Sequence, residues 1–249
     1  MSDRRAAIGI PGGRLGGPGL PRSPVVLRRA RLQRRNVELK VDSPQERVRA
    51  EYDALATVYD RRWSRYIEAS TAATLRRIPV DAGERLLDVG CGTGLLLARL
   101  LGRSPFRELT GVDLSPGMVA QARRRLPGSV RLLVGDAGTL PFPQGSFDVV
   151  VSASSFHYWP APARGLEEAR RVLRPGGHLI ITDWCDDYLA CRICDRVLRL
   201  VNPSHARIYG RAECGALLSH ARYQVTSLER YRISWLWGLM TACARAPAG

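Results

Sequence analysis

Apolar positions along this chain recur with two different periods, and the switch between them divides it into helices and strands. Val48, Tyr52, Leu55 and Tyr59 repeat at helical spacing, which marks one buried helix face. Ser43-Pro44-Gln45-Glu46 ahead of them reads as a capping box with proline at the first helical position. A second helix is expected over about 61–78, carrying Trp63, Ile67 and Leu75 and stopped by Pro79. Short apolar runs then alternate with helical stretches. Strands are expected near 85–89, 108–113, 130–134, 147–152 and 177–183. Helices should begin at Thr93, at the Ser115-Pro116 cap and near Pro162, where Leu166, Ala169, Val172 and Leu173 share a face, and Arg174-Pro175-Gly176-Gly177 reads as a turn. A longer helix at 186–201, a shorter one at 212–220 and a hairpin from 223–228 and 231–243 complete the pattern. Strand–helix alternation of this kind implies a parallel sheet covered on both faces.

One junction carries chemistry. In Leu86-Leu87-Asp88-Val89-Gly90-Cys91-Gly92-Thr93-Gly94-Leu95-Leu96-Leu97, a buried strand passes through a glycine turn into a helix, so backbone can approach a ligand closely. Dinucleotide sites use G-x-G-x-x-G with a pyrophosphate on the helix N-terminus; the spacing here is G-x-G-x-G. Asp88, two residues before the first glycine, repels a pyrophosphate and attracts an ammonium or sulfonium group.

With that turn the chain resembles the class I S-adenosylmethionine-dependent methyltransferases, in particular the ubiquinone/menaquinone-type small-molecule enzymes. Asp88, Gly90, Gly92 and Gly94 match the first motif; Gly111-Val112-Asp113-Leu114-Ser115, Gly135-Asp136-Ala137, Phe147-Asp148-Val149-Val150 and Leu173-Arg174-Pro175-Gly176-Gly177 follow in order. The resemblance covers about residues 44–245. It implies an α/β fold, a Rossmann-like doubly wound seven-stranded sheet, mostly parallel with the last strand antiparallel, with helices on both faces and an N-terminal helical lid. It also implies S-adenosylmethionine as cofactor. Asp113 would hold the ribose hydroxyls, since a carboxylate accepts two hydrogen bonds from a diol. Leu114 and Met118 would pack on the adenine, Asp136 and the Ala137 amide would meet its edge, and Asp88 would orient the amino group of the methionine part. Tyr59 would belong to the lid, the alternative being plain helix packing; Asp148, opening a buried strand, reads as structural.

The acceptor side is less defined. A sulfonium methyl is already electrophilic, so positioning supplies much of the catalysis. Where a base is needed, the loop after the fourth strand offers His157, read either as that base or as a loop histidine that shapes the pocket. Tyr158, Trp184 and Tyr188 are expected to line a flat or apolar acceptor site. Cys191-Arg192-Ile193-Cys194 is one C-x2-C with no second ligand pair, so no metal site is expected. Cys194 falls on the Ala190, Ile193, Val197, Val201 stripe and is expected in the core, with Cys191 one step off it.

Composition adjusts this picture in two places. The net charge of +15 is concentrated in residues 1–40, where ten basic residues face only Asp3 and Glu38. That Gly/Pro/Arg-rich stretch is expected to be a disordered leader, read as a solvated or mis-started segment, an organellar transit segment over residues 1–36 or an anion-binding tail, with residues 41–249 as the methyltransferase domain. No apolar run reaches the roughly 18 residues of a membrane span, and six cysteines are too few for a disulfide scaffold, so a cytoplasmic enzyme with a small-molecule acceptor is the expectation. The alternatives are an RNA methyltransferase, against which no RNA-binding module is found, and a cofactor-binding protein without turnover. Acceptor atom and oligomeric state stay open.

Overall fold

Seven strands hydrogen-bond into one sheet in the order β3-β2-β1-β4-β5-β7-β6. They are β1 (Arg85–Val89), β2 (Glu108–Asp113), β3 (Arg131–Val134), β4 (Phe147–Ala153), β5 (Leu173–Trp184), β6 (Gln224–Arg232) and β7 (Gly238–Arg245). The computed structural model describes residues 43–79, 85–101, 106–202, 204–205, 207–235 and 237–248, all in the unit Val41–Gly249. The expectations for residues 1–40 lie outside the described residues. The pairings from β3 to β5 are parallel, and β7 runs antiparallel to both β5 and β6. A mostly parallel doubly wound sheet with its last strand reversed is therefore the observed fold.

The strands are apolar on both faces because helices cover both. Leu87, Val89, Val150 and Ile181 face a core built with α5 (Pro162–Val172) and α7 (Arg211–His220), whereas Leu86, Val149, Val151 and Ile180 face one built with α3 (Leu95–Leu100) and α4 (Pro116–Arg125). Strand order reverses between β1 and its neighbours β2 and β4; sheets of this type bind ligands at the carboxyl ends of the strands at such a point. Helices α1 (Pro44–Leu55) and α2 (Tyr59–Leu75) precede the sheet. The capping box is present: the Ser43 Oγ accepts from the Glu46 amide at 3.2 Å, and the Glu46 carboxylate accepts from the Ser43 amide at 3.0 Å.

Four expectations need correction. Helix α3 starts at Leu95 rather than Thr93, because Gly94 adopts a left-handed conformation (φ 78°) as its N-cap. The 174–177 segment is not a free turn: it is an irregularity within extended β5, where Gly176 has φ 72° and pairing with β4 shifts register between Phe147 and Val149. Arg174 is held there by Asp148 at 3.1 Å, and the Arg85 amide donates to the same buried carboxylate at 2.8 Å. The last hairpin turns at 233–237, several residues later than expected; the Ser234 hydroxyl caps it by accepting from the Trp237 amide at 3.0 Å, a turn without the Gly or Asn that usually marks one.

The largest correction concerns α6 (Leu189–Val201). Its buried residues are Cys191 and Asp195, whereas Ile193, Val197 and Val201 of the expected core stripe are exposed and Cys194 is half-buried. Asp195 turns the helix over. Its carboxylate meets His205 Nε2 at 2.9 Å and Arg199 at 2.7 Å and accepts from the Ile208 amide at 3.1 Å, and such a network is satisfied only when its carboxylate faces inward.

Candidate active site

A cleft opens at the carboxyl ends of β1, β2 and β4, beneath α1 and the start of α2. Among the expected cofactor residues, Tyr59, Asp88, Gly90, Gly92, Asp113, Leu114, Met118, Asp136 and Ala137 line it, and so does Tyr158, expected on the acceptor side. Gly94 does not: a Cβ there would meet Leu126 Cδ1 at 2.7 Å, so its role is to admit α3 against α4.

The glycine turn is held by backbone and by Asp113. The amides of Gly90 and Cys91 both donate to the Val112 carbonyl (2.8 and 3.0 Å), and the Gly92 amide donates to Asp113 Oδ2 at 2.8 Å. Gly92 has φ 53° and nothing within 4 Å of where a Cβ would sit, so its open face looks onto free space. Asp113 Oδ1 accepts from the Ser115 amide at 2.9 Å. Each oxygen of Asp113 thus takes one backbone donor and retains lone-pair capacity for a ligand diol. Burial raises the Asp113 pKa, partly offset by those two amides, to about 6.

Asp88 is 2% exposed, and its Oδ1 has no hydrogen-bond partner. Burial, reinforced by neighbouring Asp113, pushes its pKa up to about 8. A buried carboxylate oxygen without a partner is costly, and a cationic ligand group beside the turn removes that cost. Asp136 shapes its own loop by accepting from the Gly138 amide at 2.8 Å while lining the cleft.

The roof is tied to the sheet through two carboxylates that sequence reading passed over. Asp53 on α1 accepts from the Ser115 hydroxyl (2.6 Å) and the Gly117 amide (2.8 Å) at the start of α4. Asp60 on α2 accepts from the Thr93 hydroxyl at 2.7 Å and pairs with Arg125. Tyr52 was also passed over as a site residue. It lines the cleft, with its ring 5.8 Å from Tyr59 and 5.2 Å from Tyr158. Its only signal was its place on the Val48–Tyr59 stripe. Burial raises the pKa of all three phenols, so they stay neutral.

His157 lies outside the cleft lining, 4% exposed, one ring behind Tyr158. Its Nδ1 meets Asp183 Oδ1 at 2.7 Å, and its amide donates to Asp183 Oδ2 at 2.9 Å. Its ring stacks on Trp184 at 5.7 Å. Trp184 belongs to this second layer, with Tyr66, His205 and Trp237 around it, and does not line the cleft. Tyr188 is displaced further: its ring packs where a Cβ of Gly238 would stand and is flanked by Arg230 and Arg232. The flip of α6 removes it from the expected rim. The floor between the layers is polar. Ser154, at φ 61°, accepts from the Tyr66 hydroxyl at 2.8 Å, and both Ser154 and Ser155 line the cleft. Among the described residues no group of three or more His, Cys, Asp or Glu side chains could hold a metal.

A G-x-G-x-G turn flanked by Asp88 and Asp113 at the switch point of a doubly wound sheet is the geometry of a Rossmann-like ligand site. Residues 87–181 match the family described as methyltransferase domain. The chain is 31% identical over 202 residues to the 27-O-demethylrifamycin SV methyltransferase of Amycolatopsis mediterranei, covering 73% of this chain and 68% of that protein. It is 41% identical over 117 residues to the demethylmenaquinone methyltransferase of Thermus thermophilus, a match covering 44% of this chain and 53% of the relative. The chain therefore spans about half the length of the first curated relatives it matches, 53% and 50%. In fold it is similar to a Haloferax volcanii methyltransferase solved with the Trm112 activator (TM-score 0.71, 24% identity, 79% of this chain and 98% of that one). This chain belongs to the S-adenosylmethionine-dependent methyltransferases.

Proposed function

We propose that the chain transfers a methyl group from S-adenosylmethionine to a small-molecule acceptor by in-line displacement. The observation that carries this reading is the buried, partnerless Asp88 oxygen beside the glycine turn, because it fits an ammonium and opposes a phosphate. When bound, the cofactor supplies an electrophilic sulfonium methyl. Asp88 would hold the amino group of its methionine part, and the open face of Gly92 admits that chain. Asp113 would accept from the ribose hydroxyls, Asp136 and the Ala137 amide would meet the adenine edge, and Leu114 and Met118 would flank the base. Tyr59 and Tyr52 close the roof and keep water from the methyl.

On the acceptor side, Tyr52, Tyr59 and Tyr158 offer aromatic faces, which suit a flat or apolar acceptor. The relatives named for demethylmenaquinone and 27-O-demethylrifamycin SV act on small molecules, in keeping with this. His157 would serve as the base for an acceptor hydroxyl or acidic carbon only where the Tyr158 ring, which stands between it and the cleft, gives way. With Nδ1–H donated to Asp183, a neutral ring leaves its Nε2 lone pair to take the proton, and Asp183 is the positioning residue. The test is transfer of labelled methyl from S-adenosylmethionine into metabolite extracts, with the product identified by mass. Saturable cofactor binding and a labelled small molecule are expected; absence of both would refute the reading.

A further inference from the structure

The apolar stripe that α6 turns outward has no partner among the described residues. Leu189, Ile193, Val197, Leu200 and Val201 are exposed, Leu200 by 86%. Arg192, Arg196 and Arg199 are interleaved with them and are also exposed. Arg192 pairs with Asp186 at 3.6 Å and Arg199 with the buried Asp195, the only acid of the helix, at 2.7 Å, so the net positive charge of this face rests on Arg196 and on Arg230 and Arg232 beside it. A helix with one strongly apolar face, bordered by arginines, has the make-up of a segment that lies in a membrane interface rather than across it. Its length agrees: among the described residues no helix is long and apolar enough to span a bilayer.

The neighbouring hairpin extends the same chemistry. Arg230 and Arg232 flank the ring of Tyr188, the N-cap residue of α6, and Arg232 also reaches the Trp235 carbonyl at 3.4 Å. Trp235 itself is 80% exposed. Exposed tryptophan with arginine beside an apolar stripe is the usual composition of the headgroup layer. We propose that α6 and the adjoining hairpin residues Arg230, Arg232 and Trp235 form a docking surface for an anionic lipid bilayer.

Charge separates this occupant from the others. A second copy meeting the same face isologously would set arginines against arginines. Residues 1–40 carry ten basic residues and two acidic ones, so their composition offers this face no charge complement. Anionic headgroups complement it, and each arginine near such a surface adds attraction that salt screens. The proposal goes beyond the transfer reaction and does not depend on which acceptor is used.

The test is co-sedimentation of the full chain with vesicles of phosphatidylcholine and phosphatidylglycerol in equal parts, against phosphatidylcholine alone. Binding is expected to the anionic vesicles, to fall with added salt, and to weaken by about tenfold or more in the Ile193→Glu/Val197→Glu variant at an unchanged melting temperature. Should that variant fold poorly, Leu200→Ser with Arg196→Gln, changed at fully solvated positions, gives the same comparison. No binding by the unaltered chain, or equal binding to both vesicle types, overturns the proposal. Unaltered binding by the variants also overturns it, assigning the affinity to residues 1–40. A dimer in light scattering that these variants dissociate overturns it too, because the occupant is then a second copy.

Discussion

The donor and acceptor sides of the cleft are built by different means. Around the glycine turn, position is set by main chain: Gly90, Cys91 and Gly92 amides donate to β2 or to Asp113, and Asp113 is itself fixed by the Ser115 amide. In the layer behind Tyr158, a layer that does not itself line the cleft, position is set by side chains from distant segments. His157 is held by Asp183, Asp183 sits at the end of β5, and Trp184 is ringed by residues of α2, the segment after α6 and the last hairpin. A main-chain cradle stays constant while surrounding side chains change, which suits a cofactor shared by many reactions. A wall of rings can be rebuilt by single substitutions, which suits an acceptor that differs between relatives.

The largest effect should come from breaking the main-chain side. Asp113→Ala removes the diol acceptor and frees the Gly92 and Ser115 amides at once. Cofactor affinity by calorimetry should fall roughly a thousandfold, the value of two charge-assisted hydrogen bonds, with the far-UV circular dichroism of the folded chain retained. Unchanged affinity would refute the cofactor assignment. On the other side, His157→Ala should lower turnover about a hundredfold, the lower range for a general base, and leave cofactor affinity nearly as it was. Full turnover would reduce His157 to a packing residue.

This division also explains how much of the molecule could be read from its sequence. Motif residues at strand ends act through backbone geometry that depends only on local order, so Asp88, Gly92, Asp113 and Asp136 fell into one cleft as expected. The starts of β1 to β4 followed from short apolar runs buried on both faces, and the mostly parallel seven-stranded sheet from the family resemblance. Misplaced residues were those whose surroundings come from elsewhere in the chain. Tyr188 was assigned from its place after the fifth strand and Cys194 from the α6 stripe, and Asp195 outweighed that stripe through partners ten or more residues away, His205 and Ile208. Asp53 and Asp60 belong to no motif and are not among the apolar positions that mark their helices. No local pattern distinguishes a solvated carboxylate from one that caps a neighbouring helix.

A sharper test of the side-chain-built half is Asp195→Ala, which leaves buried His205 and the Ile208 amide without their acceptor. Stability by chemical unfolding should drop by about 2 kcal/mol, with cofactor affinity retained. The pH dependence has a definite sign. Burial alone raises the Asp195 pKa, but His205, Arg199 and the Ile208 amide bring it below the usual carboxylate value. Its contribution is therefore complete above the unfolded carboxylate pKa and is lost as pH falls through the lowered folded value. If the variant matches the parent in stability, the polar network does not determine how α6 is seated.

The donor-side acids should show the opposite slope, and this is the smallest and most discriminating effect. Burial pushes the pKa of Asp88 up to about 8 and that of Asp113 up to about 6. Between the unfolded carboxylate pKa of about 4 and those values, the folded chain binds more protons than the unfolded one. The stability they contribute is thus present in acid and declines as pH rises toward 8. An ammonium group beside Asp88 requires the ionised form, so binding must expel that proton. Cofactor affinity should then rise with pH up to about 8, by less than about tenfold per pH unit, and calorimetry in buffers of different ionisation enthalpy should detect the released proton. Asp88→Asn should bind more weakly and lose both the slope and the release. A parent affinity that is flat from pH 6 to 8 would mean that the Asp88 carboxylate is already ionised before the cofactor binds, and the argument from its partnerless oxygen would fail with it.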